Sequence, residues 1–70
     1  MKTISIESEY ITLGQFLKLA ELISSGGEAK FFLKENDVFV NGVIKDQRGL
    51  KLYPDDSISI DDEVFKIICI

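Results

Sequence analysis

Between Ser25 and Gly42 the chain reads SGGEAKFFLKENDVFVNG, and that punctuation leaves few choices of local structure. Ser25 followed three positions later by Glu28 has the spacing of a capping box. The serine oxygen takes an orphan backbone N–H, and the glutamate reaches back to the N-cap amide. Gly26 and Gly27 allow a sharp entry into the helix. Ala29, Phe32 and Leu33 recur at helical spacing and predict a buried stripe. Asn36 suits a C-terminal cap, because asparagine tolerates the left-handed conformation. Val38-Phe39-Val40 is β-prone, and Asn41-Gly42 is the strongest short hairpin signal a sequence offers.

The flanks extend the pattern. Ile4 and Ile6 alternate with Thr3, Ser5 and Glu7, as in a half-buried strand. Thr12 and Gln15 form a second capping box. It opens a helix whose Leu13, Phe16, Leu17, Ala20 and Ile23 share one face. Leu19 and Leu22 widen the apolar surface, so this helix is expected to be covered on two sides. After the Asn41-Gly42 turn, Val43-Ile44 returns as a partner strand, and residues 45–49 form a polar loop. Leu50-Lys51-Leu52 alternates again, Tyr53-Pro54-Asp55-Asp56 is a turn, and Ser57 to Ile60 and Val64 to Ile70 are strands joined at Asp61-Asp62. The first and last strands are expected to pair with each other. The class is α+β: a two-helix helix-turn-helix unit packed on a small, mostly antiparallel or mixed β-sheet.

Seventy residues make one domain, and a chain this short buries only about 60% of its unfolded surface. With 46% hydrophobic residues, a core without disulfide staples is feasible. The absence of histidine and the single Cys69 exclude common Cys/His zinc sites and histidine-based nucleophile pairs. Cys69, among isoleucines, is expected to be buried and inert. Asp55, Asp56, Asp61, Asp62 and Glu63 fit neither an EF-hand loop nor a two-carboxylate hydrolase, and read as turn residues. No cofactor, metal or small-molecule substrate is implied. Met1-Lys2 runs into an alternating segment rather than an apolar one, so no signal peptide or membrane span is expected, and a reduced, cytoplasmic setting follows.

Net charge is −4, which disfavours a general nucleic-acid binder. The charge is unevenly spread, however. Residues 54–70 hold one base against five acids, whereas residues 12–53 hold six bases against five acids. Affinity for a polyanion would come from a local patch, and a second function class, a protein–protein adaptor using the acidic C-terminal edge, stands beside it.

A helix carrying Ala29-Lys30, followed by Val38, Val40, Asn41 and Gly42, resembles the S4-type RNA-binding domain. Thr12-Leu13-Gly14-Gln15-Phe16-Leu17-Lys18 and Arg48-Gly49-Leu50-Lys51-Leu52 extend the resemblance to the small stand-alone bacterial S4-like proteins of the YaaA type. It covers residues from about 12 to 60 of what is expected to be a single 1–70 S4-like domain with the family's αL motif. The resemblance implies a non-catalytic RNA-binding module for structured ribosomal RNA, or for the ribosomal subunit and its precursors during assembly or translation. The chain departs from the family at Thr12, Gly14 and Gly26, where many S4-type domains carry an arginine, an acid and an arginine. Fewer charges imply weaker, more shape-dependent binding.

The expected RNA-binding residues follow from both lines. Lys30 and Lys34 lie one helical turn apart. With Ser25 and the amides of Gly26 and Gly27 they make a phosphate seat, or else they are solubilising surface lysines. The resemblance places Lys30 against RNA. Lys18 lies on the polar side of helix one, where the family meets RNA, or pairs with Glu21. Arg48 and Lys51 flank Gly49, which allows a close ligand approach or serves a turn. Asn41 touches a base or simply makes the turn. Phe31 falls outside the buried stripe. It is expected to pack against the N-terminal strand; an exposed ring there, between lysines, would be able to stack on an unpaired base.

Overall fold

The computed structural model describes residues 1–70. In chain order the elements are β1 (Lys2–Ile6), β2 (Ile11–Thr12), α1 (Leu13–Leu19), a 3₁₀ turn (Gly26–Glu28), α2 (Ala29–Glu35), β3 (Val38–Val40), β4 (Val43–Ile44), β5 (Lys51–Leu52), β6 (Ser57–Ile60) and β7 (Glu63–Cys69). Five strands form one sheet in the order β1-β7-β6-β3-β4, and β2 pairs with β5 apart from it. The terminal strands pair in parallel, with Ile4 opposite Ile67, and every other pairing is antiparallel. A parallel pair cannot be joined by a hairpin, and here both helices lie in the long connection between β1 and β7.

Alternation decides which face is buried. Val38 and Val40 stand opposite Ile60 and Ile58, and Ile58 stands opposite Phe65. All five are buried, with Ile6 and Ile67, on the face that meets the helices. Leu13, Phe16 and Leu17 of α1, Ala29 and Leu33 of α2, and Ile11, Ile23 and Leu52 complete the core, which contains no polar side chain. Phe16 meets Phe65 edge to face, with centroids 5.2 Å apart. Each of these large side chains contributes about 1.5–3 kcal/mol by leaving water.

The two-residue turn is as expected. Asn41 and Gly42 have φ of 52° and 85°, both positive as a hairpin of the primed type requires. At Tyr53-Pro54-Asp55-Asp56, Asp55 takes φ 77° and the Asp56 amide donates to the Tyr53 carbonyl at 3.0 Å, the pattern of a type II turn with proline in its second place.

Four local expectations are corrected. First, α1 ends at Leu19, and Ile23 is buried from beyond the helix. Glu21 adopts φ 62°, its amide donates to the Lys18 carbonyl, and the Leu22 amide donates to the Leu17 carbonyl, both at 3.0 Å. This is a Schellman stop with glutamate where glycine is usual. Leu19 is consequently exposed, and α1 is not covered on two sides. Second, Ser25 makes no side-chain cap bond. The first turn winds as 3₁₀, so the Glu28 carboxylate instead accepts the Ser24 amide at 3.4 Å. Third, Asn36 is extended rather than left-handed and caps α2 through its side chain, with Nδ2 donating to the Phe32 carbonyl at 3.0 Å. Fourth, Cys69 is exposed, at the end of β7.

Candidate nucleic-acid interface

The start of α1 organises the site. Its first amides lack partners within the helix, and the chain supplies them from outside it. Thr12 N–H donates to Gln15 Oε1 at 2.9 Å and Gln15 N–H donates to Thr12 Oγ1 at 3.2 Å, so the expected capping box is present. Leu13 N–H donates to the Leu50 carbonyl at 2.8 Å and Gly14 N–H to the Arg48 carbonyl at 2.9 Å. The 45–50 loop is thereby fastened across the helix start. Gly14 permits it: a Cβ there would stand 3.3 Å from the Arg48 carbonyl oxygen and 3.6 Å from the Ala29 Cβ. Thr12 and Gly14 thus both serve this junction.

The result is a cleft of about 330 Å³ lined by Thr12, Gly14, Gln15, Gly26, Ala29, Arg48 and Gly49. The expected Arg48, Gly49 and Gly26 are therefore brought together. Gly26 and Gly49 have no positive φ, and a Cβ on either would meet nothing within 4 Å. No turn geometry in the chain calls for glycine at these two places. The Gly26 and Gly27 amides and the Ser25 hydroxyl have no partner in the chain.

Two neighbouring hollows share walls with this cleft. Gln15 also lines one with Lys18, Leu19, Ile11 and Glu21, and Gln15 and Thr12 line another with Tyr10 and Glu9. Lys51 reaches the rim of the second, its ammonium 4.9 Å from the centre of the Tyr10 ring. On the other side of α2 lies a groove of about 510 Å³ that holds Lys30 and Lys34 together with Lys45, Asp37 and Asp46.

Lys45 is not among the residues expected from the sequence. Val40 pairs with Val43 and Phe39 with Ile44, and the next bond of the hairpin runs from Lys45 N–H to the Val38 carbonyl at 2.8 Å. Counting outward from Asn41-Gly42 therefore sets Lys45 opposite buried Val38, on the side that meets α2. That register was readable in the sequence. Asn41 lies apart from these clefts. Its Nδ2 donates to Asp56 Oδ1 at 3.1 Å and its Oδ1 accepts the Ser57 amide at 2.9 Å, which ties the hairpin to β6. Phe31 does not pack on β1 but stands 65% exposed.

Ion pairing is confined to the sheet: Lys2 with Glu63 at 3.3 Å and Lys66 with Asp55 at 3.9 Å. Lys18, Lys30, Lys34, Lys45, Arg48 and Lys51 form no ion pair, and Lys18 does not pair with Glu21, whose left-handed backbone closes the helix instead. In the turn before β6 the acids are engaged locally: Asp56 Oδ2 accepts the Tyr53 amide at 2.8 Å, and Asp55 lies 3.9 Å from Lys66.

Comparison with known proteins matches residues 4–68 to the family described as "S4 domain". A protein of Bacillus subtilis (strain 168) described as "Probable ribosome maturation protein RlbA" is 57% identical over 58 residues, which are 83% of this chain and 82% of that protein.

Proposed function

This chain belongs to the S4 domain family, and we propose that it is a non-catalytic RNA-binding module acting on structured ribosomal RNA, or on a ribosomal subunit or its precursor during assembly. The observation that carries this reading is the distribution of free cations. Every base outside the sheet's two ion pairs lies on or beside the clefts around α1 and α2. A patch of unpaired ammonium and guanidinium groups is what a phosphate backbone selects, even on a chain whose net charge is −4.

In this reading Arg48 grips a phosphate at the mouth of the glycine-lined cleft, where its planar fork makes paired bonds. Gly26, Gly27 and Gly49 let the ribose–phosphate chain come close. Lys18 and Lys51 hold neighbouring phosphates on the α1 side, and Lys30 and Lys34 on the α2 side. In this reading Asn41 serves the hairpin, its amide bonded to Ser57 and Asp56, and lies outside the clefts. The close resemblance to a relative named for ribosome maturation supports a ribosomal target.

Sedimentation of cell extract through a sucrose gradient tests this. The protein should travel with a ribosomal subunit or its precursor at low salt and leave it at high salt. Replacing any one phosphate-binding cation by alanine should reduce the slope of log K against log salt by about 0.7–0.9. A protein that stays at the top of the gradient at both salts, and that retains a protein partner after nuclease treatment, is an adaptor instead.

A further inference from the structure

We propose that Phe31 is a stacking platform for one unpaired base of the bound RNA, so that the ligand is an RNA with a bulged, looped or terminal nucleotide next to the phosphates held by Lys30 and Lys34. The inference rests on the RNA-binding reading and adds the class of RNA. Successive helical residues are turned by about 100°. Ala29 and Leu33 face the core, so Phe31 projects to the far side of α2, and its 65% exposure agrees with that. A lone exposed apolar side chain is common on protein surfaces, and exposure alone decides nothing. The surroundings decide.

The helical neighbours of Phe31, three and four positions away, are Gly27, Glu28, Lys34 and Glu35, and none is apolar. Along this face of α2 the apolar surface is thus a single ring, whereas a stable protein interface covers about 800 Å² on each partner. One ring matches one base. Side chains on a helix lean toward its N-terminus, and there Gly27 brings no side chain to cover the ring. Lys30 precedes it in sequence and Lys34 lies one turn on, both free of ion pairs and both on the groove with Lys45. Phosphates running along that groove would leave the attached base beside the ring. A paired base is already stacked within its duplex, so only an unpaired one can use the platform.

The test compares two fluorescein-labelled RNA hairpins, one fully paired and one with a single bulged 2-aminopurine. Wild type should bind the bulged hairpin about tenfold more tightly, the low-to-middle part of the range for one base on one ring, and should change the 2-aminopurine fluorescence. Phe31→Ala and Phe31→Leu should lose both the preference and the fluorescence change, while Phe31→Tyr keeps them. Unchanged behaviour in Phe31→Ala, with both hairpins released by Lys30→Ala/Arg48→Ala, overturns the platform and leaves the RNA reading standing. If wild type binds neither hairpin at low salt yet travels with a ribosomal subunit in the gradient, the platform is wrong and the RNA reading stands; if it also stays at the top of the gradient, both fail. If Phe31→Ala instead loses a protein that stays with wild type after nuclease treatment, the ring docks a protein and the inference is wrong.

Discussion

The Arg48 carbonyl oxygen accepts the Gly14 amide at 2.9 Å and would lie only 3.3 Å from a Cβ on residue 14. This bond, with the one from Leu13 N–H to the Leu50 carbonyl, holds the 45–50 loop against α1 and sets Arg48 beside the cleft. Gly14→Val places a branched side chain against backbone that cannot move independently. It should destabilise the fold by about 1–3 kcal/mol through overpacking, read by urea denaturation. RNA affinity should fall further than Arg48→Ala alone produces, since the whole loop shifts. A Gly14→Val protein of wild-type stability would show that the loop accommodates the side chain freely.

The glycines at 26 and 49 separate fold from function. Neither has positive φ and neither is crowded, so Gly26→Ala and Gly49→Ala should leave stability unchanged or raise it by about 0.4–1 kcal/mol by restricting the unfolded chain. The same substitutions should weaken RNA binding several-fold by holding the ribose–phosphate chain away. Thermal unfolding and fluorescence anisotropy on one preparation give both numbers. Equal affinity in the alanine variants would remove close backbone approach from the mechanism.

Helix α1 is held at both ends by short-range bonds. Thr12→Ala removes the oxygen that accepts the Gln15 amide and should cost about 1 kcal/mol. Glu21→Gly should act in the other direction. A residue with a Cβ at φ 62° carries left-handed strain, and glycine relieves it, for a gain of about 1 kcal/mol. Chemical denaturation of the two single variants and their double should show opposed and nearly additive shifts, because the sites are at opposite ends of the helix.

Lys45 provides a test of the groove beside α2. Lys45→Ala should weaken RNA binding and lower the salt slope by about 0.7–0.9, the effect of neutralising one phosphate fewer. Lys66→Ala, which removes a lysine already close to Asp55 on the sheet, should leave the slope unaltered. Equal slopes for wild type and Lys45→Ala would remove Lys45 from the interface.

The features legible in the chain are those settled within a few residues. Asn-Gly accepts the two positive φ angles of a tight hairpin, so the turn at Asn41-Gly42 was readable. Thr12 and Gln15 have the spacing at which each answers the other's amide, so the start of α1 was readable too. Ser25 and Glu28 have the same spacing without the same bond, because the chain there winds as a 3₁₀ turn. Glu21 hides a helix stop, since nothing in a glutamate announces the left-handed backbone that glycine would.

Pattern and propensity were enough for the α+β class, the hairpin and the identities of most of the cations, because alternation, helical spacing and turn preference are properties of neighbouring residues. The parallel register of β1 on β7, the docking of the 45–50 loop on α1, the gathering of Lys30, Lys34 and Lys45 along one groove, and the outward projection of Phe31 depend on segments far apart in the chain. They follow from burying one common core, and a residue's share of that core is set by what packs against it from elsewhere.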